Sequence, residues 1–423
     1  IYTLWHTFPY MTLFRSRTAR KFHDIIESSG FKKGIYAFFT ILLILVNLII
    51  ILLELQWDFK IYYTAANDFR NGLTPYKDVY RDLSYVYHPL TLYFFVPFTF
   101  LPYSIANFLF LILKNIAFLC VIYLWVVKFI EKDDNSALFL FFSTVAFNAA
   151  FFIDLIAGNI AIIECLIIWS ALYFLLQEKK YYIFCILIIF VSFFKITPIL
   201  LLFLLLFSKT KKKYFYLSLS LAVFLIIFFL PLIYNSLLFE EYFQALTSLG
   251  AEIDPKNPST LSLIAYLITL MDFFGFISEQ CIIVISFCCY LGIILLILII
   301  FIYWRKYVWD IQKSQFAYLK QRKLIICLFL IVFALIILRF KDYSYNLLIF
   351  PAYYLIRTFN NENVDLSEKR KNSFLIFAFL FSSYKFSSIF FLFFLDYNVL
   401  ISIYILFFVY IHHSYQNFYK PFK

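Results

Sequence analysis

Apolar positions along this chain fall in long unbroken blocks, not in strict alternation or one-sided stripes. The block IYAFFTILLILVNLIIILLEL, Ile35 to Leu55, is typical. A membrane helix needs about 20 apolar residues, whereas membrane barrels alternate apolar and polar residues between turns. The pattern predicts an all-α polytopic membrane protein with about twelve transmembrane helices. They fall at 35–55, 87–101, 103–129, 137–153, 158–176, 181–207, 214–234, 281–304, 324–340, 343–357, 373–395 and 397–413. The runs 87–101 and 343–357 are short for a bilayer and need thinned lipid or protein neighbours.

Composition agrees. Of 423 residues, 64% are apolar and 14% charged, against about 25% charged in an ordinary soluble domain. Mean hydropathy is +0.87. Soluble globular, disordered, collagen-like and disulfide-stapled chains are excluded. The seven cysteines all lie inside apolar runs without metal-ligand spacing, and read as small buried hydrophobes. The abundance of Phe, Ile, Lys and Tyr suits a low-GC bacterium, so a bacterial inner membrane is the expected location.

The net charge of +11 would suggest nucleic acid in a soluble protein. Here the basic residues sit in short loops, the positive-inside pattern, so membrane lipids are the expected partners and nucleic acid is not. Clusters at Arg15–Lys33, Lys209–Lys213, Arg305–Lys323 and Lys369–Lys371 all fall inside if the N-terminus is cytoplasmic and 261–278 does not cross. That segment is therefore read as re-entrant or surface-lying. The resulting organisation is a basic cytoplasmic segment 1–34, an N-terminal transmembrane module 35–234 with a first outer loop 56–87, a second outer loop 235–280, and C-terminal helices 281–423. The first apolar run is expected to stay as a signal anchor. Met11 is the only Met before residue 271, so residues 1–10 are expected to precede the native start.

The first outer loop holds the strongest candidate chemistry. Phe59, Tyr62, Tyr63, Ala66 and Phe69 repeat at helical spacing, with Lys60, Thr64, Asn67 and Asp68 opposite. Asp58 stands where an N-cap belongs and Gly72 where the helix ends. The prediction is an amphipathic helix at the membrane surface. A carboxylate at its start, partly desolvated, can act as a general base.

The residues Asp58, Tyr62, Tyr63, Ala65, Ala66, Gly72, Pro75, Tyr76, Tyr87 and Pro89 resemble the first-loop signature of glycosyltransferase family 87. Gly158-Asn159 stands where that family often has Gly-Gln. Lys195 and Pro198 match its Lys-x-x-Pro, and Asn257 and Ser259 resemble its Asn-x-Ser segment. His88 replaces a Pro usual in the family, and Arg339–Asn346 lacks the His the family often carries near the outer end of a late span. The resemblance implies a GT-C-type bundle with two long outer loops, and a single sugar, most simply mannose, moved from a polyprenyl-phosphate donor. It implies inversion at the non-cytoplasmic face, a lipid-linked or glycan acceptor, and Asp58 as base.

Such a transfer needs cations for the leaving phosphate. Candidates are Arg339, Lys341, Arg81, His88 and the mid-span Lys195, since a charge inside a span marks a functional site or a cavity. Lys195 can instead pair with Glu164, Asp154 or a carbonyl. Tyr62, Tyr63, Glu54, Asn257 and Ser259 are candidates for acceptor or supporting contacts, Glu54 standing one helical turn before Asp58. No cofactor is expected. Glu252 and Asp254 are the nearest approach to a Mg²⁺ or Mn²⁺ pair and read as solvated loop charges. The competing reading is a lipid or glycan transporter or flippase, which would need paired deep charges or repeated halves.

Overall fold

The computed structural model describes residues 28–76, 78–80, 83–130, 136–178, 180–248, 257–271, 278–310, 315–362 and 397–419. Most of the basic N-terminal segment, Arg81, Glu252, Asp254 and the run 373–395 lie outside the described residues. The elements in chain order are α1 (Ser29–Leu52), α2 (Trp57–Arg70), a small antiparallel hairpin β1 (Asp78–Tyr80) and β2 (Leu83–Ser84), α3 (Leu92–Phe95) between two 3₁₀ turns, α4 (Tyr103–Leu124), α5 (Ser136–Ala157), α6 (Ala161–Leu176) and α7 (Tyr181–Ser192). A 3₁₀ segment Thr197–Phe207 leads to α8 (Lys213–Tyr234), α9 (Ser236–Ser248), α10 (Thr260–Met271), α11 (Glu279–Asp310) and α12 (Gln315–Ile336). A second 3₁₀ segment, Asp342–Leu348, precedes α13 (Ile349–Glu362) and α14 (Asn398–Tyr419).

Five helices among the described residues are long and apolar enough to cross a membrane: Ser29–Leu52, Tyr103–Phe129, Ser136–Ala157, Lys213–Tyr234 and Gln280–Lys306. Others are shorter or broken where a full span is expected. The run 87–101 folds as the broken piece Pro89–Phe100, because Pro89 and Pro97 each remove a helix donor. The run 181–207 divides at Lys195 and Pro198 into α7 and the 3₁₀ segment. The run 343–357 becomes the second 3₁₀ segment followed by α13. α10 has 12 residues, about 18 Å at helical rise, shorter than a hydrocarbon core of roughly 30 Å.

The largest core joins α1, α4, α5, α6, α7, α12, α13 and α14, with Trp125, Trp169 and Phe350 meeting ring to ring at its centre. In contrast, lipid-facing positions of α1 such as Ile44 and Leu48 are exposed. One pair of polar side chains in this bundle is partnered across helices. Asn47 of α1 and Asn115 of α4 exchange hydrogen bonds (3.0 and 2.7 Å), and each amide also donates to its own helix, at Leu43 O and Leu111 O. α5 is interrupted at Phe147–Ala149, whose φ values of 53°, 58° and 59° are left-handed.

α6 separates two polar ends of the bundle. At its C-terminal end Arg322 donates to Leu175 O (2.8 Å) and Leu176 O (3.3 Å) and pairs with Glu178 (2.7 Å), while Lys323 donates to Phe129 O (2.9 Å). Cations suit the exposed carbonyls of a helix C-terminus. The N-terminal end of α6 carries Asn159 and Glu164, and there the first loop closes on the bundle.

Candidate active site

The first loop is fixed by a close backbone approach. After α1 the chain turns through Glu54 (φ 47°) and Gln56 (φ 77°), two left-handed non-glycine residues that cost roughly 1–3 kcal/mol each. Gln56 is fully buried; its N–H donates to Ile156 O (2.9 Å) and its Nε2 to Leu155 O (3.4 Å). It rests on Gly158, itself at φ 70°, where an added Cβ would come within 2.5 Å of Gln56 Cβ. Only glycine fits. The α1–α2 and α5–α6 junctions are thereby clamped together, and Asp58 meets Asn159.

Asp58 is not the N-cap expected from its position. Gln56 takes that place, and Asp58 lies in the first turn of α2, turned toward the bundle. α2 ends at Arg70, and Gly72 just beyond it sits in left-handed backbone (φ 74°), with Leu73 N–H closing on Asp68 O (2.9 Å). α2 buries Phe59, Ile61, Tyr62, Ala65 and Ala66 against α3, the 3₁₀ turns beside it and α4. Its inner face therefore packs on protein.

Asn159 Nδ2 donates to Asp58 Oδ2 (2.6 Å) and to Tyr62 OH (3.0 Å), and approaches Tyr87 OH at 3.5 Å. Its Oδ1 accepts from Ala161 N–H (3.1 Å) at the start of α6, which settles the amide orientation. Tyr62 and Tyr87 share a hydrogen bond of 2.9 Å. Burial raises the Asp58 carboxyl above its ordinary range. The Asn159 hydrogen bond and then the charges of Lys114, Lys341 and Lys195 oppose that rise without cancelling it. Asp58 is half-buried, so it stays accessible while partly desolvated.

Two lysine–carboxylate pairs underlie this cluster. Lys195 sits in the break after α7, with Nζ 2.7 Å from Glu164 Oε2 and 5.4 Å from the centre of the Tyr343 ring. Its side chain keeps 27% exposure, so it also faces outward. Lys114 and Asp154 are completely buried, 3.5 Å apart, and Lys114 Nζ also donates to the Asp154 carbonyl. Asp154 Oδ2 accepts from Ile162 N–H (2.9 Å). This pair ties α4, α5 and the start of α6 beneath Asp58.

The candidate residues divide accordingly. Asp58, Tyr62 and Lys195 come together, and Lys341 acts electrostatically on Asp58. Arg339 acts on Tyr343, which in turn senses Asp58. Tyr63 points elsewhere, donating to Leu101 O (2.8 Å) as a strut between α2 and the turn before α4. Glu54 is exposed in the turn, and since α1 ends at Leu52 it has no helical-turn relation to Asp58. His88 is buried against the rings of Phe193, Phe228 and Tyr242. Its Nδ1 accepts from Leu90 N–H (3.3 Å), leaving Nε2 to donate to Phe228 O (2.9 Å), so both nitrogens are used structurally. Ser259 caps α10, accepting from Ser262 N–H (3.3 Å). Asn257 binds the backbone on either side of Arg339.

Tyr343 stands in this cluster although nothing in the sequence singles it out; Tyr87 and Asn159 are marked there only by the resemblance, and Glu164 only as one partner open to Lys195. The available signals were a Gly-Asn pair at a helix start and a charge one turn into α6. Among the described residues no group of three or more His, Cys, Asp or Glu side chains is arranged to hold a metal.

The arrangement combines a partly desolvated carboxylate, phenolic hydroxyls and cations at one end of a membrane bundle. A family model matches residues 85–345, more than half of the chain, and is described as glycosyltransferase family 87. The chain belongs to that family and is a multi-pass membrane glycosyltransferase. The match begins after Asp58, Tyr62 and Tyr63 and includes Asn159, Lys195, Asn257 and Lys341. No curated protein and no solved structure matches the chain.

Proposed function

We propose that the protein transfers a single sugar, most simply mannose, from a polyprenyl-phosphate donor to a lipid-linked or glycan acceptor, with inversion. Asp58 takes the proton from the acceptor hydroxyl. The freed oxygen bonds to the anomeric carbon as the bond from that carbon to the phosphate oxygen breaks on the opposite side. The lipid phosphate leaves with the bonding electrons, facing Lys195, Lys341 and Arg339, whose charges balance it. Arg339 adds a planar fork suited to phosphate oxygens. Tyr62 and Tyr87 hold the rim of the acceptor side, and Asn159 keeps one Asp58 oxygen engaged so that the other faces the acceptor.

The observation that carries this reading is the 2.6 Å bond from Asn159 to Asp58, which holds a partly desolvated carboxylate where the charges of Lys114, Lys341 and Lys195 act on it. The location at a non-cytoplasmic face is supported by the basic contacts of Arg322 and Lys323 at the far end of α6. In a bacterium, the reaction so read belongs to the outer side of the inner membrane.

The test is Asp58→Asn, which keeps shape and hydrogen bonding but removes the base. Loss of a general base lowers turnover about 10²–10⁴-fold, with donor binding retained. Wild-type transfer by this variant rejects the assignment. Substrate flux across sealed vesicles without glycosidic product would replace it with transport.

A further inference from the structure

Between the end of α12 at Ile336 and the 3₁₀ segment starting at Asp342, residues 337–341 follow no regular structure. Irregular backbone in apolar surroundings needs partners for its N–H and C=O groups. Segment 257–260, about eighty residues earlier in the chain, supplies them. Asn257 is fully buried. Its Nδ2 donates to Leu338 O (3.2 Å) and its Oδ1 accepts from Phe340 N–H (2.8 Å), so one amide grips both sides of Arg339. Thr260 Oγ1 donates to Leu335 O (2.7 Å) and Tyr345 OH to Pro258 O (2.9 Å), closing the contact at either end. The stretch held in this way carries Arg339 and Lys341, and the Lys341 charge is felt at Asp58.

We infer that Asn257 is a positioning residue, setting the affinity for the donor's phosphate by fixing the stretch that carries Arg339 and Lys341. It touches no reacting atom and acts through the backbone of 338–340. The inference deepens the proposed transfer and rests on the phosphate role given there to Arg339 and Lys341. It makes the second loop, although remote from the carboxylate in sequence, part of the donor site.

The experiment uses the full-length protein in detergent and two readouts. The first is the rate of tryptic cleavage after Arg339 and Lys341, followed by mass spectrometry. The second is the donor KM and kcat with a synthetic polyprenyl-phosphate sugar. Asn257→Ala removes two hydrogen bonds, one of them buried, and is expected to speed cleavage at these two bonds about tenfold and to raise the donor KM by a similar factor, with a much smaller change in kcat. Asn257→Asp keeps the acceptor for Phe340 N–H but sets a carboxylate against Leu338 O. It should move both readouts the same way, and serves if the alanine variant does not fold. Cleavage at the wild-type rate in both variants overturns the inference, as does faster cleavage with an unchanged donor KM. Arg339→Gln and Lys341→Gln separate the two layers. If neither raises the donor KM, the phosphate role fails, and the cleavage rates still decide whether Asn257 holds this stretch.

Discussion

Replacing Gly158 by alanine tests the geometry of the site more directly than replacing any polar residue in it. The new Cβ would stand 2.5 Å from Gln56 Cβ and 2.8 Å from Gln56 Cα, distances that real contacts do not tolerate. Gly158 also sits at φ 70°, where alanine costs roughly 1–2 kcal/mol. Overpacking adds about 1–3 kcal/mol, so the total is about 2–5 kcal/mol. Part of that will be relieved by moving the α1–α2 turn away from α6, which draws Asp58 off Asn159. A shift of about 1 Å at a reacting group can cost 10²-fold in rate. Gly158→Ala should therefore lower the melting temperature in detergent and reduce kcat far more than it raises the donor KM. Adding Gln56→Gly removes the nearest opposing atom, although Cα at 2.8 Å remains, so the double variant should recover part of both losses. A Gly158→Ala protein with wild-type melting and turnover would refute the claim that this approach positions Asp58.

Four further outcomes are expected. Because burial raises the Asp58 carboxyl and a base must be deprotonated, activity should fall as pH drops through that raised value. Asn159→Ala removes a contact that lowers it, so the acidic limb of the kcat/KM profile should move to higher pH. Lys195→Gln should raise the donor KM by about tenfold or more, and the loss should exceed that of Glu164→Gln if Lys195 meets the phosphate as well as its partner carboxylate. Lys114→Met leaves Asp154 buried without its cation, a loss of about 3–5 kcal/mol readable as melting temperature or expression, and Asp154→Asn in the same chain should restore part of it.

The membrane class was legible because lipid imposes one dominant requirement, and long apolar blocks meet it in only one way. The first-loop helix and its end just before Gly72 were legible for a similarly local reason, helical spacing followed by a residue tolerant of left-handed backbone. Asp58 was legible as a candidate but not as to its setting. An N-cap is the residue whose own dihedrals leave the helical region, and Gln56 adopts its left-handed form where Ile156 and Gly158, at the α5–α6 junction, receive it. His88 illustrates the reverse problem. A histidine before a proline at a span boundary reads as a phosphate ligand, and only the approach of Phe228 from α8 assigns its second nitrogen. Lys195 was visible as an expensive charge, and Glu164 was one of several partners open to it. Which carboxylate it meets depends on the packing of α6 against the break after α7.

The paired amides of Asn47 and Asn115 bear on how the bundle is assembled. Within α1 itself the Asn47 amide donates to the carbonyl of Leu43. In the folded bundle the remaining hydrogen and the amide oxygen are met by Asn115, about seventy residues later in the chain. The pair therefore fixes the relative depth of the two helices: sliding one past the other by a single turn would break both shared hydrogen bonds and leave each amide only the carbonyl of its own helix. A helix so rich in leucine and isoleucine could otherwise settle at many depths, and these two small side chains select one.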